Sequence, residues 1–383
     1  MNMPSLRFSF EQLPLPDTAA MRLTAKLGLG FNIGNSLDCV DTPGSTSTGL
    51  GFETLWGNPR TTPEMICALR DAGFGSIRLP VSWHNHVTGP DHRIDPAWME
   101  RVRQIVEYCL HEDLYVEINT HHDIREDLIY PDLAHEEQSL KLLTDLWEQI
   151  APAFRDYDAR VIFEPTNEVR LTGTPFEWSP DPADPHCLEA FEVICRMNQR
   201  FVDIVRESGG NNRTRFLSIP GYSTSDHGAM AEQFVLPKDP ASERLFVSVH
   251  NYTPAFFAFY LPESGHNPVH FDPLYDGDPK NLPEDTACGQ SVDASCRKLY
   301  EKFVRNGIPV HFNEFGCVDK NNQADRITYN AYYVAKARSY GMACFYWDNG
   351  SMIHSPGSMG IFDRRRLSFP DPAMTEAMVR SAR

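Results

Sequence analysis

Short apolar segments that have the character of β-strands alternate with amphipathic helical segments along almost the whole chain of 383 residues. The eight predicted strands cover residues 27–34, Ser76–Leu79, Leu114–Asn119, Arg160–Glu164, Arg215–Ile219, Leu245–Val249, Ile308–Phe312 and Met342–Tyr346. A helix or connector follows each strand, and no long linker separates the pairs. This alternation predicts a single α/β domain, a closed parallel (β/α)8 barrel of the TIM type, with an open doubly wound sheet as the alternative.

The helical segments carry start and stop signals that support this division. Thr61 and Asp95 each stand where a helix cap is expected, close to a proline of the first turn. Glycine follows the expected ends of several helices. The predicted helices cover residues 61–73, 95–112, 136–154, 187–208, 292–306, 322–339 and 371–381.

Outside this pattern lie an N-terminal arm and one long insertion. Residues 1–20 form the arm, and the sequence leaves open whether it is ordered. Residues 21–383 then form one domain, which lies within the size range of a barrel with insertions. The tract of residues 254–290 is rich in Pro, Gly and Asp and longer than an ordinary connection. We expect it to form a wall or lid of the functional site rather than a separate domain.

Charge and composition argue against several classes of partner. The net charge of −17 and the pI near 5.2 argue against nucleic acid, which is bound mainly through clustered Lys and Arg. The sequence contains no apolar run of the roughly 18 to 20 residues that span a membrane. The nine cysteines contain no Cys-x-x-Cys, so neither a zinc cage nor a disulfide framework is indicated. We expect a monomer without metal or cofactor.

Polar residues stand at the carboxyl ends of the predicted strands rather than before them. In a parallel barrel these ends open on one face, so residues distant in sequence are expected to converge there. A surface ion pair, a core histidine or a core tryptophan explains any one of them taken alone. The set as a whole indicates a functional site, and it consists of Asn35, Arg78, His121, His122, Asp123, Asn167, Glu168, His250, Tyr252, Glu314 and Trp347.

Two of these strand ends carry a glutamate, Glu168 and Glu314. Acetal cleavage uses such a pair, because one carboxylic acid protonates the leaving oxygen while a carboxylate attacks the carbon or activates water. A separation of about 5 to 5.5 Å implies retention and a wider one implies inversion. The sequence does not give that distance, so the stereochemistry stays open at this point.

Eight motifs together resemble glycoside hydrolase family 5, in its endoglucanase branch close to subfamily 4. The resemblance covers about residues 20–370, and the motifs occur in the order of the family. They are Leu29-Gly30-Phe31-Asn32-Ile33-Gly34-Asn35-Ser36-Leu37-Asp38, Trp56-Gly57-Asn58-Pro59, Ile77-Arg78-Leu79-Pro80-Val81-Ser82-Trp83, Asn119-Thr120-His121-His122-Asp123, Thr166-Asn167-Glu168, Ser248-Val249-His250-Asn251-Tyr252, Asn313-Glu314-Phe315-Gly316 and Trp347-Asp348-Asn349-Gly350.

The resemblance implies a retaining endo-β-1,4-glucanase that hydrolyses internal bonds of cellulose, mixed-linkage glucan or xyloglucan. Glu168 would be the acid/base and Glu314 the nucleophile, with Asn167 bonding the sugar 2-hydroxyl. Arg78, His121, His250 and Tyr252 match the residues that tune the two carboxylates, and Trp347 matches the floor of the sugar site. Further substrate contacts are implied for Asn35, Trp83 and His84.

The same resemblance implies that residues 21–383 are the catalytic domain and that the partner is a β-glucan polysaccharide or oligosaccharide. It also implies an extracellular protein. The N-terminal residues lack the continuous apolar stretch of a signal peptide, so either the signal has been removed or the protein is cytoplasmic. The chain departs from the family pattern beside each glutamate, with Val169 where proline is usual and Asn313 where glycine is usual.

Two other functions remain as alternatives. A metal-dependent hydrolase would use His84, His86, His121 and His122 as ligands. A non-catalytic carbohydrate-binding barrel would keep the aromatic residues for sugars, while the carboxylates would only accept hydrogen bonds from hydroxyl groups.

Overall fold

Eight parallel strands close into a barrel, in a computed structural model that describes residues 6–42, 44–261, 267–350 and 357–383. In chain order the strands are β1 (Leu29–Ile33), β2 (Ser76–Leu79), β3 (Val87–Thr88), β4 (Arg93–Ile94), β5 (Tyr115–Ile118), β6 (Val161–Phe163), β7 (Leu217–Ser225), β8 (Leu245–His250), β9 (His270–Asp272), β10 (Thr286–Cys288), β11 (Val310–Phe315) and β12 (Ala343–Asp348). The order around the barrel is β1-β12-β11-β8-β7-β6-β5-β2, so the predicted (β/α)8 barrel is confirmed.

The helices are α1 (Ala19–Leu27), α2 (Pro63–Ala72), α3 (Pro96–His111), α4 (Glu136–Ala153), α5 (Pro185–Glu207), α6 (Asp226–Met230), α7 (Ala255–Ala258), α8 (Gln290–Lys302), α9 (Gln323–Ser339) and α10 (Pro372–Ser381). Three of them begin with the same device, an aspartate that caps the helix and a proline in its first turn. The caps are Asp95, Asp184 and Asp371, whose side chains accept the N–H two residues further on. Among the described residues, no helix is both long enough and apolar enough to cross a membrane.

By their packing the residues form two compact units. The terminal unit comprises Met1–Gly34, Glu64–Ile77 and His250–Arg383. The central unit comprises Asn35–Pro63 and Arg78–Val249.

In the central unit, the register of neighbouring strands sets the height of the residues that follow them. Ile118 of β5 is paired with Phe163 of β6, so Asn119 and Glu164 emerge side by side at the strand ends. In the terminal unit, the pairing of β11 with β12 shifts between Phe312 and Phe315. An irregularity of this kind re-aims side chains, and Glu314 lies inside it.

The structure departs from the predicted elements in several places. The helix α1 was not expected, and it begins at Ala19, inside the segment 1–20. The strand β7 runs on to Ser225, where the prediction ended at Ile219. Two small two-stranded sheets, β3 with β4 and β9 with β10, and the short helices α6 and α7 were also not predicted. These elements lie outside the regular alternation on which the prediction was based.

The described part of the N-terminal segment packs against α9. The rings of Phe8 and Phe10 both contact Tyr332 edge to face, and the ammonium of Lys336 lies 3.7 Å from the centre of the Phe10 ring. The Leu13 N–H donates to the carbonyl of Ser339 at 2.9 Å. Residues 1–5 of the predicted arm and 262–266 of the predicted wall lie outside the described residues.

Candidate active site

A fully buried ion pair organises the strand ends of the central unit. The guanidinium of Arg78, at the end of β2, donates to Glu164 Oε2 through Nε at 3.0 Å and through Nη2 at 2.8 Å. The same oxygen accepts the Asn119 amide at 3.0 Å, and Arg78 Nη2 also donates to Asn167 Oδ1 at 2.9 Å. Arg78 therefore fixes the side-chain amide of Asn167, and the carboxylate of Glu164 compensates the charge of the guanidinium.

His121 is joined to this network from the next strand end. Its Nδ1 lies 3.1 Å from the amide nitrogen of Asn119, and its backbone N–H donates to the carbonyl of Val81 at 2.8 Å. The imidazole is buried. Its orientation is therefore set by the same amide that supports Glu164.

Glu168 follows this network in an uncommon backbone conformation. Its φ is 41°, in the left-handed region that glycine prefers. Its side chain is 21% exposed to solvent. The Glu168 N–H donates to Thr224 Oγ1 at 2.9 Å, from the extended end of β7. A backbone held in this region at a strand end is typical of functional positions.

Arg170 places a positive charge beside Glu168. Its Nη1 donates to the Glu168 carbonyl at 2.9 Å and lies 3.7 Å from Glu168 Oε2. On its other sides Arg170 donates to Glu177 at 3.2 Å and lies 3.9 Å from the centre of the exposed Trp178 ring. The guanidinium is thus held in a fixed position and can favour the ionised form of Glu168.

Glu314 occupies the irregular end of β11 in the terminal unit and is almost fully buried. The Tyr252 hydroxyl donates to Glu314 Oε2 at 3.0 Å, and His250 Nε2 lies 3.4 Å from Oε1. The backbone carbonyl of Glu314 accepts the Asn251 N–H at 3.0 Å. One carboxylate oxygen therefore accepts from the Tyr252 hydroxyl while the other faces the His250 ring, and a hydrogen bond to the charged form of a carboxylate favours that form.

Trp347 at the end of β12 is half-buried. A side chain at Gly34 would meet its indole at 2.8 Å, so the absence of a side chain there makes room for the ring. The next residue, Asp348, accepts from Arg364 at 2.9 Å and from the Ile361 N–H at 2.7 Å. The backbone beside Trp347 is therefore firmly anchored.

Asn35 and His84 line the same strand ends of the central unit, and both are partly exposed. The Asn35 N–H donates to Asp38 Oδ2 at 2.9 Å, with a φ of 54°. His84 Nδ1 lies 3.0 Å from Asp123 Oδ1, which also accepts the backbone N–H groups of residues 83 and 84. Asp123, which the sequence analysis included among the polar residues at the strand ends, therefore acts as a positioning residue for His84.

The expected direct contact of Trp83 with substrate needs correction. The Trp83 side chain is fully buried, and its indole N–H donates to the Asn119 carbonyl at 3.0 Å. A ring without exposed surface cannot stack on a sugar. Trp83 instead supports the segment that carries Asn119 and His121.

The four histidines of the metal hypothesis do not form one group. Within the central unit, ligand atoms of Asp38, His121 and His122 lie within 4.8 Å of one another. His86 is not among them: it stacks on Trp98 at 3.5 Å, and burial lowers the pKa of its imidazole to about 4. His84 is paired with Asp123. The arrangement of His84 and His86 therefore gives this hypothesis no support.

Sequence reasoning missed two residues of the candidate site, Glu164 and Arg170. Glu164 stands directly after an apolar strand, and a carboxylate at such a place needs a buried cation, which Arg78 could have suggested. Arg170 follows Glu168 by two residues, with Glu177 and Trp178 seven and eight residues further on. That clustering of charge and aromatic surface was the available signal.

Comparison with known proteins identifies the family to which these motifs are related. A family model described as cellulase, glycosyl hydrolase family 5, matches residues 40–352. Endoglucanase A of Ruminococcus albus is 35% identical over 370 residues, covering 96% of this chain and 94% of that protein. Solved structures include a GH5 family lichenase from Caldicellulosiruptor sp. F32, 38% identical with a TM-score of 0.93 over 99% of this chain and 100% of that chain.

A GH5-4 broad specificity endoglucanase from Ruminococcus champanellensis with bound cellotriose is 33% identical, with a TM-score of 0.83 over 96% of this chain and 100% of that chain. Some relatives are longer. The chain spans 41% of the cellulase/esterase CelE of Acetivibrio thermocellus and 66% of endoglucanase A of Clostridium longisporum.

Proposed function

The chain belongs to glycosyl hydrolase family 5, the cellulase family, and we propose that it is a retaining endo-β-1,4-glucanase with Glu314 as nucleophile and Glu168 as acid/base. The observation that carries the assignment of roles is the difference between the two carboxylates. Glu314 is buried, with Tyr252 and His250 at its two oxygens, whereas Glu168 is partly exposed. A nucleophile must stay ionised, and an acid/base must exchange protons with water.

The barrel topology supports the assignment of both residues to strand ends. β11 and β6 are strands of one closed parallel barrel, and such a barrel opens the carboxyl ends of all its strands at one face. Glu314 ends β11, and Glu168 lies in the segment that follows β6.

The proposed reaction proceeds in two displacements. In the first, the Glu314 carboxylate attacks the anomeric carbon, the bond from that carbon to the glycosidic oxygen breaks, and Glu168 gives its proton to the departing oxygen. In the second, Glu168 takes a proton from water, and the water oxygen displaces Glu314 from the anomeric carbon. In this proposal Asn167, which is held by Arg78, bonds the hydroxyl next to the reacting carbon.

The substrate that we propose is a neutral β-1,4-linked glucan chain, with cellulose, mixed-linkage glucan and xyloglucan sharing the required bond. Relatives carry names that cover this range, such as lichenase, broad specificity endoglucanase and a xyloglucanase from Paenibacillus pabuli. We further propose that the protein acts as a monomer without a metal or cofactor. We place its action outside the cell, because an intact polysaccharide does not cross a membrane.

The decisive experiment compares the wild-type protein with Glu314→Gln and with Glu301→Gln, which changes an exposed glutamate of α8. Reducing sugar released from soluble β-1,4-glucans is the readout, together with binding of cello-oligosaccharides by calorimetry. We expect Glu314→Gln to lose more than about 10³-fold in turnover while still binding, and Glu301→Gln to match the wild type. Wild-type turnover in Glu314→Gln would refute the assignment of the nucleophile. Binding without hydrolysis by the wild type would favour the non-catalytic barrel.

Glu168→Gln separates the two roles further. Substrates with poor leaving groups need protonation of the glycosidic oxygen, whereas activated aryl glycosides do not. We expect the variant to lose far more activity on glucan oligosaccharides than on activated aryl cellobiosides. Equal losses on both would contradict the role of Glu168 as the acid.

A further inference from the structure

Three neighbouring aromatic residues of the segment after β8 expose large parts of their rings. Phe256, Phe259 and Tyr260 are 46%, 55% and 45% exposed. Their rings lie next to one another, with Tyr260 in the middle. The ring centroids of Phe259 and Tyr260 are 6.4 Å apart, and those of Tyr260 and Phe256 are 5.2 Å apart. We call these three residues the aromatic platform.

The platform is continuous with the residue that bonds the proposed nucleophile. The Phe259 ring meets the Tyr252 ring edge to face at 5.5 Å, and the Tyr252 hydroxyl donates to Glu314 Oε2 at 3.0 Å. A ligand whose reacting carbon lies at Glu314 would therefore reach the platform with its next parts if it extended past Tyr252.

The core of this segment is formed by a different aromatic residue. Phe257 is buried and packs on Phe271 at 5.4 Å and on Tyr329 at 5.1 Å. The three residues of the platform, in contrast, are about half exposed to solvent. Three half-exposed aromatic rings side by side bring an apolar surface into water, and such surfaces mark binding sites.

The backbone that carries the platform is clamped rather than loose. Its carbonyls at Thr253 and Ala258 accept from the Tyr329 hydroxyl at 3.1 Å and from the Val318 N–H at 2.9 Å. The buried Lys320 ammonium donates to the carbonyl of Phe256 at 2.5 Å and to that of Pro268 at 3.2 Å, and also to the side chain of Asn267. A surface fixed before binding loses little entropy when a ligand arrives.

From these observations we infer that Phe256, Phe259 and Tyr260 form a binding site for glucosyl residues beyond the bond that is cleaved. The inference rests on the proposed function and adds the part of the chain that recognises substrate length. Pyranose rings present flat faces of C–H groups, and aromatic rings cover such faces without needing a charged partner. The predicted wall at residues 254–290 would then act as a sugar-binding wall through its first residues.

The test uses Phe256→Ala and Tyr260→Ala, singly and together, in the full chain. The Phe259 ring lies against Tyr252, so Phe259→Ala would disturb the nucleophile and is not the variant of choice. Val235→Ala serves as the matched control, because Val235 is an exposed apolar residue, at 63%, that lies outside the segment carrying the platform. Hydrolysis is measured on an aryl cellobioside and on cellohexaose.

We expect the double variant to raise KM for cellohexaose by about tenfold, with kcat/KM on the aryl cellobioside within about twofold of wild type. Tyr260→Phe should keep the wild-type KM, since the ring is retained. Binding of cellohexaose to the inactive Glu314→Gln protein should weaken by the same factor when the two alanines are added.

Failure of this inference is distinguishable from failure of the proposed function. A wild-type protein that cleaves both substrates, with an unchanged KM for cellohexaose in the double variant, would overturn the platform alone. An equal loss on both substrates would mean that the variants damage the catalytic residues, which also overturns it. A wild-type protein that cleaves neither substrate would overturn the proposed function instead.

Discussion

Arg78 and Glu164 form a fully buried ion pair with an N–O distance of 2.8 Å. Neither residue is assigned a chemical step in the proposed reaction. The pair spans the ends of β2 and β6, and the same Nη2 that donates to Glu164 also donates to Asn167, the residue before Glu168. The position of Asn167 therefore depends on a charge that never meets solvent.

Replacing Arg78 should damage both stability and catalysis. Arg78→Met leaves Glu164 buried without its cation, and we expect the free energy of unfolding to fall by about 3 to 5 kcal/mol. Arg78→Lys keeps the charge but loses the two-pronged contact, so we expect kcat/KM to fall about 10²-fold with a smaller loss of stability. Denaturant unfolding and glucan hydrolysis measure the two effects. Wild-type kinetics in Arg78→Lys would contradict the positioning role.

Arg170→Gln should change the pH dependence of hydrolysis. The guanidinium 3.7 Å from Glu168 Oε2 favours the carboxylate over the acid, so its removal favours the protonated form. The alkaline limb of the profile requires Glu168 to be protonated, and it should therefore move to higher pH. Arg196→Gln, which removes a half-exposed arginine paired with Glu136, is the control and should leave the profile in place. A profile unchanged in Arg170→Gln would exclude this electrostatic role.

Two buried histidines predict a loss of stability in acid. Burial lowers the pKa of His86 to about 4 and that of His311 to about 3, from 6.5. Below pH 6.5 these two imidazoles bind protons in the unfolded chain but stay neutral in the folded protein. The free energy of unfolding therefore falls as the pH drops from 6.5 towards 4 and 3. For His86 the full loss is on the order of 3 kcal/mol.

Urea unfolding between pH 7 and pH 4 measures this effect. His86→Phe, between the rings of Phe52 and Trp98, should flatten the dependence, whereas His111→Gln at an exposed site of α3 should not. If His86→Phe loses as much stability in acid as the wild type, the histidine is not the source.

Gly30→Ala tests how closely the strands of the barrel pack. A Cβ at Gly30 of β1 would lie 2.2 Å from the Phe345 ring of β12, so the ring or the strand must move. We expect a loss of about 1 to 3 kcal/mol in the free energy of unfolding. At Gly51 the nearest atoms are 4.0 Å away, so Gly51→Ala should change stability little. Equal stability of the two variants would contradict the close packing.

The sequence was informative where the apolar residues of a strand or helix repeat with a single regular spacing. The alternation of apolar strands with amphipathic helices predicted the barrel, and capping residues such as Asp95 located helix starts closely. It failed where the chain leaves that alternation. The final part of β7 contains Pro220 and Gly221, which interrupt the apolar run, although β7 continues as a strand to Ser225. The short helix α1 lies between a proline-rich segment and β1, without a long amphipathic stretch.

For the candidate site, the sequence located the strand ends but not the direction of each side chain. Trp83 belongs to a motif at a strand end and was expected to contact substrate, yet its side chain is fully buried. The two carbonyls and one side-chain oxygen that hold Lys320 come from residues 52 to 64 positions earlier, a relationship that no local pattern contains. The burial of Glu164 likewise depends on Arg78, 86 positions away.

The left-handed backbone of Glu168 has a consequence for how this position can change. At a φ of 41° a residue with a Cβ costs about 1 to 2 kcal/mol relative to glycine. Glu168→Gly should therefore be more stable than Glu168→Ala by roughly that amount, the reverse of the order expected within a helix or strand. Random substitution followed by selection for thermal resistance alone would then tend to enrich inactive proteins at this position. A screen for thermally more stable variants of this protein therefore needs activity as a second criterion.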